Sequence, residues 1–456
     1  MITDERWPQA RLIPVASASG VEAQERNAAS ALLAVAGAVK EFGRALLKPL
    51  GAPAGAIQAY VEVPFESEGR KLRPDGLISV TRAGKTWVAL VETKVGGATL
   101  DPAQMDAYLD IAREHGFDAV LSISNQYVTS SRDYPVAYDK RKTKKVLLQH
   151  RSWVDVLTEA VVQKEHRGVT DPDQAFMLGE LIRYLSDHRS GVVTFSNMGP
   201  SWTKVKEGAR SQTLRKSDAE VSDLAARWDE LIRYLCLHMT MDLGRDVKHA
   251  IGKSESHPAA RLNALRDSLA SRGVLYAQLQ IPDVAGNIDL SADLRSRQIT
   301  AAANVDAPRD GRSRGRVSWL LRQLQEAPDE TRIEVRIARS QITLVDSLGT
   351  ARARPESLYP DADKEIRGFE VSMSRNMGLK KDASKGSFIE SVMSATEDFY
   401  RVVLQNLRPW KASPPKLKPK QVEEELAPPP AIRDEVEDAV EELQESSEES
   451  ENPADT

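Results

Sequence analysis

Residues 73–94 read RPDGLISVTRAGKTWVALVETK. Pro74 and Asp75 open a β-branched run, DGLISVT (75–81). A turn signal, RAGK, follows. The next run, TWVALVETKV (86–95), is apolar without interruption from Trp87 to Val91. That pattern suits a strand buried on both faces. One carboxylate, Asp75, stands where the first run begins. A second, Glu92, stands where the next run ends, and Lys94 is two residues further on. The start of one hairpin strand lies beside the end of the other, so the two acids are expected at adjacent strand ends. Lys94 is expected on the same face of its strand as Glu92, because side chains alternate with period two.

Two hard carboxylates placed this way form an oxygen-ligand site for a cation such as Mg2+, which keeps several waters and takes one or two carboxylates plus a substrate phosphate. Such an ion polarises phosphoryl oxygens and lowers the pKa of a bound water. The backbone carbonyl of Thr93 offers a further ligand. A lysine beside them can orient the attacking water and offset charge in the transition state. The spacing therefore supplies the parts of a metal-dependent phosphodiesterase.

The flanking sequence supports a mixed α/β core of about 150 residues, an ordinary domain size. Residues 20–48 read as one long helix, with Leu32, Leu33, Val35, Val39, Phe42, Leu46 and Leu47 at helical spacing. AYVEVPF (59–65) alternates like a strand. After the 86–95 run, Asp101 and Pro102 mark a helix start and Gly116 its end. FDAVLSISN (117–125) and KVLLQH (145–150) read as further strands, and Ser152 caps a helix after them.

Taken together, Pro74-Asp75, sixteen residues, then Glu92-Thr93-Lys94 resembles the PD-(D/E)XK nuclease superfamily. The resemblance covers roughly residues 20–160. It implies a restriction-endonuclease-like mixed β-sheet core flanked by helices, within a nuclease-like domain spanning 1–160. It also implies a glutamate from the first helix, for which Glu25 fits best and Glu22 second. Gln104 and Tyr108 match the QxxxY element of the RecB-type branch, where they lie near the active site and the DNA backbone. At i and i+4 they share one helix face. The implied activity is Mg2+-dependent hydrolysis of DNA, with Mn2+ able to substitute, in restriction, phage defence or repair. Asp75, Glu92, Lys94, Glu25, Gln104 and Tyr108 form the implied catalytic set, and Asp75, Glu92 and Thr93 the metal shell. The alternative is a catalytically inactive nuclease-fold adaptor that binds DNA or protein.

Beyond residue 170 the pattern changes. Antiparallel-type runs alternate with helices up to about residue 410, which suggests an α+β second domain for targeting, DNA binding or oligomerisation. Residues 411–456 are rich in Pro, Glu and Ser and are expected to be disordered. That tail holds 5 basic and 14 acidic residues, a net −9, against 57 basic and 53 acidic in the rest, a net +4. A mildly basic body permits nucleic-acid binding, and the acidic tail offers a docking segment for a protein partner. Homo-oligomers are common among double-strand cutters with one site per chain.

Other chemistries lack their signatures. There is no GxxxxGK[ST] loop and no GxSxG elbow, and the seven histidines show no HxH or HExxH spacing. The single cysteine, Cys236, lies in an apolar helical stretch and reads as a core thiol. No apolar run approaches the roughly 20 residues of a membrane span, so the chain is expected to be cytoplasmic. Asp246-Val247-Lys248 repeats the acid-x-Lys spacing without a preceding apolar strand or a Pro-Asp partner, and is set aside. Three basic stretches, 139–145, 295–322 and 374–386, are candidate phosphate contacts.

Overall fold

The computed structural model describes residues 20–410, apart from 68, 129–133, 188–189, 193–194, 341–342 and 361–363. The expected tail, 411–456, lies outside the described residues. The chain begins with helices α1 (Val21–Ala38) and α2 (Lys40–Leu47). The single helix expected over 20–48 is thus broken at Val39, which is extended. Gly43 allows the second helix to approach the end of the first closely. A Cβ there would lie 2.1 Å from the Ala36 carbonyl oxygen, so only glycine fits.

The 73–94 segment forms the hairpin its pattern implies. Strand β1 (Ala56–Val61) is followed by a small ribbon, β2 (Phe65–Ser67) and β3 (Arg70–Leu72), which the sequence reading did not separate from β1. Then come β4 (Gly76–Arg82) and β5 (Lys85–Thr93), paired antiparallel with Gly76 opposite Val91. Helix α3 (Pro102–Glu114) crosses over to β6 (Ala119–Ser124), and β7 (Leu147–Ser152) follows. Asp101 accepts from the Ala103 amide at 3.0 Å, the cap its position suggested. Ser152 and Asp155 form a reciprocal capping box at the start of α4 (Trp153–Val161).

These strands make a five-stranded mixed sheet in the order β1-β4-β5-β6-β7. It is antiparallel from β1 to β5 and parallel from β5 to β7. Alternate side chains explain its two-sided burial. Ile78, Val80, Ala89, Val91, Leu121 and Ile123 pack with α1, α2 and α4. Leu77, Val88, Leu90 and Val120 pack with α3 on the opposite face. Helix α5 (Pro172–Ser186) joins the first of these cores through Leu178, Leu181 and Leu185, so that core extends beyond residue 160.

The remainder is α+β. Helices α6 (Trp202–Ser211) and α7 (Ala219–Leu243) lead to β8 (Lys248–His249), α8 (Pro258–Arg272), β9 (Val274–Gln280), β10 (Ile288–Asp293) and β11 (Gln298–Asp306). Then follow α9 (Ser313–Leu321), β12 (Arg332–Ile337), β13 (Leu344–Ser347), α10 (Leu348–Ala353), β14 (Ile366–Asn376) and α11 (Phe388–Val402). The strands form a seven-stranded antiparallel sheet ordered β13-β12-β14-β11-β10-β9-β8. One face buries Leu275, Leu279, Leu290 and Ile299 in a single large core with α7, α8 and α11. Its other face carries a polar ladder in which Gln278, Asp289 and Asn304 bond to one another. That division is typical of an antiparallel sheet. Both sheets belong to one compact unit. Asp155 on α4 pairs with Arg233 on α7 and so ties the halves together. No described helix is long and apolar enough to cross a membrane.

Candidate active site

The antiparallel register continues one step past Gly76 and Val91, and that step places Asp75 beside Glu92. Asp75 Oδ2 accepts from the Thr93 amide at 2.6 Å and from Thr93 Oγ1 at 2.8 Å. Thr93 therefore clamps the first carboxylate next to the second. This is a role the sequence reading, which used only the Thr93 carbonyl, did not give it. The Asp75 carbonyl in turn accepts from the Glu62 amide at 3.1 Å.

Glu92, at the end of β5, is 1% exposed. Its Oε1 accepts from Lys94 Nζ at 2.7 Å. Its Oε2 is buried and meets no donor at hydrogen-bonding geometry among the described residues, although the Tyr108 hydroxyl lies near enough to favour the Glu92 charge. Lys94 Nζ also lies 3.4 Å from Glu25 Oε2, and Glu25 Oε1 lies 3.4 Å from the Val95 amide. Glu25 on α1 thus points into the cluster, whereas Glu22 is exposed on the surface. The Lys94 backbone is fixed on both sides. Its amide donates to Ile123 O and its carbonyl accepts from Trp153 Nε1.

On α3, Gln104 Nε2 donates to the Tyr108 hydroxyl at 2.8 Å, and that hydroxyl reaches Arg73 O at 3.4 Å. The pair therefore braces the turn that carries Asp75. Tyr108 is 1% exposed, and its ring is also part of the core beneath the sheet. Packing and site support coincide in this one residue.

Electrostatically the cluster is unbalanced, with three carboxylates facing one ammonium. Burial first, and then the Asp75 charge, push Glu92 up to about 7, against the pull of Lys94 and, last, of the Tyr108 hydroxyl. Burial likewise raises Asp75 despite the two Thr93 bonds, and Glu62 adds to that rise. Glu25 is raised mainly by burial. For Lys94 burial works against the charge, but Glu92, Asp75 and Glu25 outweigh it and raise its pKa. Lys94 is therefore an ammonium at neutral pH. A buried carboxylate oxygen with no partner costs free energy unless something charged completes it. Asp75, Glu92 and Glu25 are hard oxygen donors of the type Mg2+ accepts. They are the donor types a divalent cation takes, but among the described residues the acidic group whose ligand atoms all lie within 4.8 Å of one another is His238, Asp242 and Glu397 instead.

All six candidate residues come together at this end of the sheet. Others nearby were not anticipated. Glu62 follows β1 with a left-handed backbone (φ 49°) and lies close enough to influence Asp75. Ser122 on β6 is level with Glu92, and His150 on β7 is level with Ser122. Ser122 Oγ lies 3.0 Å from His150 Nδ1 and accepts from the Tyr134 hydroxyl at 2.8 Å. Burial lowers the His150 pKa, so this ring is neutral. The Glu-x-Lys spacing in β5 and the parallel register together would have located this row.

The other stretches behave differently. Asp246 and Lys248 form a 3.0 Å surface pair, 71% and 63% exposed, in keeping with their dismissal. In the 139–145 stretch, Arg141 pairs with Asp139 and Lys142 with Asp110. In the 295–322 stretch, Arg316 is buried and donates to Ile366 O and Glu365, so it is a structural residue. Cys236 is buried, and burial pushes its thiol up to about 12. No family model, curated protein or solved structure matches this chain.

Proposed function

We propose that this chain is a Mg2+-dependent nuclease of the PD-(D/E)XK superfamily that hydrolyses DNA phosphodiester bonds, with the five-stranded sheet as a restriction-endonuclease-like core. The observation that carries the reading is the buried Glu92 carboxylate, whose Oε2 no charged donor reaches among the described residues, beside Asp75 and paired through Oε1 with Lys94 two residues on. The strand order supports it. An antiparallel hairpin presents both acids, and its second strand continues into a parallel pair through α3.

Asp75, Glu92 and the Thr93 carbonyl would hold the ion, with Glu25 completing its shell. Bound there, Mg2+ supplies Lewis-acid polarisation of the phosphoryl oxygen and a more acidic water. The chain's own groups do the rest. Thr93 fixes the Asp75 carboxylate so that it does not reorganise during the reaction. Lys94 cannot serve as a base, because its carboxylate neighbours keep it protonated. Its Nζ instead donates to the attacking water or to a non-bridging oxygen, where negative charge grows as the new P–O bond forms and the old one breaks. Gln104 and Tyr108 hold the Arg73–Asp75 turn against the strand.

The test is cleavage of a supercoiled plasmid and of a single-stranded circle in Mg2+, Mn2+ or EDTA, with Asp75→Ala and Lys94→Ala beside the wild type. Cleavage that needs metal and is lost in both variants is expected. An inert wild type that also binds no metal by calorimetry sinks the proposal and leaves the inactive adaptor.

A further inference from the structure

Gly96 follows Lys94 by two residues, a span of at most about 7 Å of extended chain. It also belongs to the near wall of a cleft of about 380 Å3, together with Asn125 and Tyr127. This wall is rigid. Asn125 Nδ2 donates to Gly96 O at 3.0 Å and to Gly191 O at 2.9 Å. Its position, just past the C-terminal ends of parallel strands β5 and β6, is where open α/β sheets take ligands.

Phe195, Asn197, Arg227 and Glu230 form the far wall, all from the region that follows α5. The Arg227 guanidinium lies over the Phe195 ring, 5.5 Å from its centroid, and its Nη1 meets Glu230 at 2.5 Å. Although backed by a ring and fixed at one edge, Arg227 keeps 42% of its side chain exposed. A planar cation held in this way is a stacking platform. The Tyr127 ring meets the Phe195 ring edge-on, with 6.5 Å between centroids, and its hydroxyl is buried. One planar cation facing an open cleft matches the face of a heteroaromatic ring.

The surroundings carry the strand onward. Met198 donates to Lys381 O at 2.8 Å and Ala383 to Ser196 O at 2.8 Å, so the 378–386 loop is stitched to the far wall. Lys380, Lys381 and Lys385 on that loop are exposed.

We propose that this cleft takes one unpaired nucleobase of the strand being cut, stacked on Arg227. The substrate at the site is then single-stranded or locally unpaired nucleic acid. A base inside a duplex cannot present its face to Arg227. The region that follows α5 thereby acts as part of the substrate site. The inference rests on the nuclease reading of the neighbouring carboxylates.

It is tested with the full chain in EDTA, so that no cleavage occurs. A single-stranded oligonucleotide carrying 2-aminopurine is titrated beside its duplex. The single strand is expected to bind more tightly, with a change in 2-aminopurine emission. Arg227→Ala should weaken that binding roughly 5- to 100-fold, the range for one stacked base, and should move duplex binding less than twofold. Arg227→Lys keeps the charge but loses the plane, and guards against misfolding of the alanine variant. It is expected to weaken single-strand binding as well. Equal binding of single strand and duplex overturns the inference, and so does wild-type affinity in both Arg227 variants. Asp75→Ala keeps the two ideas apart. If wild type cleaves in Mg2+ and Asp75→Ala does not, the nuclease reading stands whatever the oligonucleotides do.

Discussion

Arg261 meets Asp229 and Glu255 in the second half of the molecule much as Lys94 meets Glu92 and Glu25 in the first. Both cations are mostly enclosed, and both lie among more acids than bases. Around Arg261 every guanidinium nitrogen is used. Nε and Nη2 reach Asp229 at 3.2–3.4 Å, Nη1 reaches Glu255 at 2.6 Å, and Nη2 also reaches Tyr276 O at 2.7 Å. The guanidinium also lies 4.8 Å from the centre of the Tyr276 ring. Around Lys94 the single ammonium cannot satisfy three carboxylates, and no charged donor reaches Glu92 Oε2 among the described residues. A planar fork with five donors suits a closed structural network, whereas a compact point charge leaves oxygens free. The contrast separates an ion cluster that holds a fold together from one arranged to receive something.

The largest expected effect is on activity. Asp75→Ala and Glu92→Ala should lower cleavage by about 10^3-fold or more, and Lys94→Ala by about 10^2- to 10^3-fold, the range for losing one preorganised donor. Asp229→Asn should leave the rate per folded molecule unchanged. A matching loss of rate in Asp229→Asn would erase the distinction. Stability should show the reverse order. Asp229→Ala strands a buried Arg261 and should cost about 3–5 kcal/mol in urea unfolding. Glu92→Gln removes a charge that has no full partner, and without metal it should cost under about 1 kcal/mol or raise the midpoint.

How much of this the sequence carries depends on whether the signal is local. Asp101 before Pro102, and Ser152 three residues before Asp155, announce helix starts that the structure keeps. The apolar middle of β5 announces a strand covered on both faces. The placement of Asp75 beside Glu92 also follows, because a tight hairpin fixes its own register. Glu62 did not show itself. Its left-handed backbone and its approach to Asp75 exist only once β1 pairs with β4. The row Glu92–Ser122–His150 depends on parallel register, which a crossover of many residues leaves open. Helices α6 and α8 escaped for another reason. Each buries a narrow stripe, Trp202, Val205 and Ala209 in one and Leu265 and Leu269 in the other, among many polar residues. Arg316 reads as a basic loop residue and is instead a buried donor to Ile366 O.

A third test uses pH. Below about 4.5 the Glu92 carboxyl is protonated in the folded and the unfolded chain alike, and its contribution to stability is fully present. Between there and about 7 the folded protein keeps a proton that the unfolded chain has lost. Stability without metal should therefore fall as pH rises across this window. The fall should shrink in Glu92→Gln. It should also flatten in saturating Mg2+, with midpoints rising as metal is added. A wild type and Glu92→Gln with parallel pH profiles would mean that Glu92 is not the strained group. Asp229→Asn should leave this slope in place.

The smallest effect should come from Tyr108→Phe, and it is the sharpest way to ask where structure ends and site begins. Phenylalanine keeps the ring that packs beneath the sheet. What goes is one hydroxyl, with its bond from Gln104 and its long reach to Arg73 O. A single net hydrogen bond is worth about 0.5–1.5 kcal/mol, so unfolding should barely move. That hydroxyl also favours the charged form of Glu92. Without it Glu92 should titrate higher, and the acid limb of the pH–activity profile should move to higher pH. The plateau above the limb should drop by less than about tenfold, because no reacting atom loses a donor. Gln104→Ala should cause a smaller shift in the same direction, since it leaves the hydroxyl in place but no longer steers it. A plateau that collapses as far as in Lys94→Ala would place Tyr108 against the substrate itself. An acid limb that does not move would make Tyr108 a core residue and nothing more, and would shrink the site to Asp75, Glu92, Lys94 and Glu25.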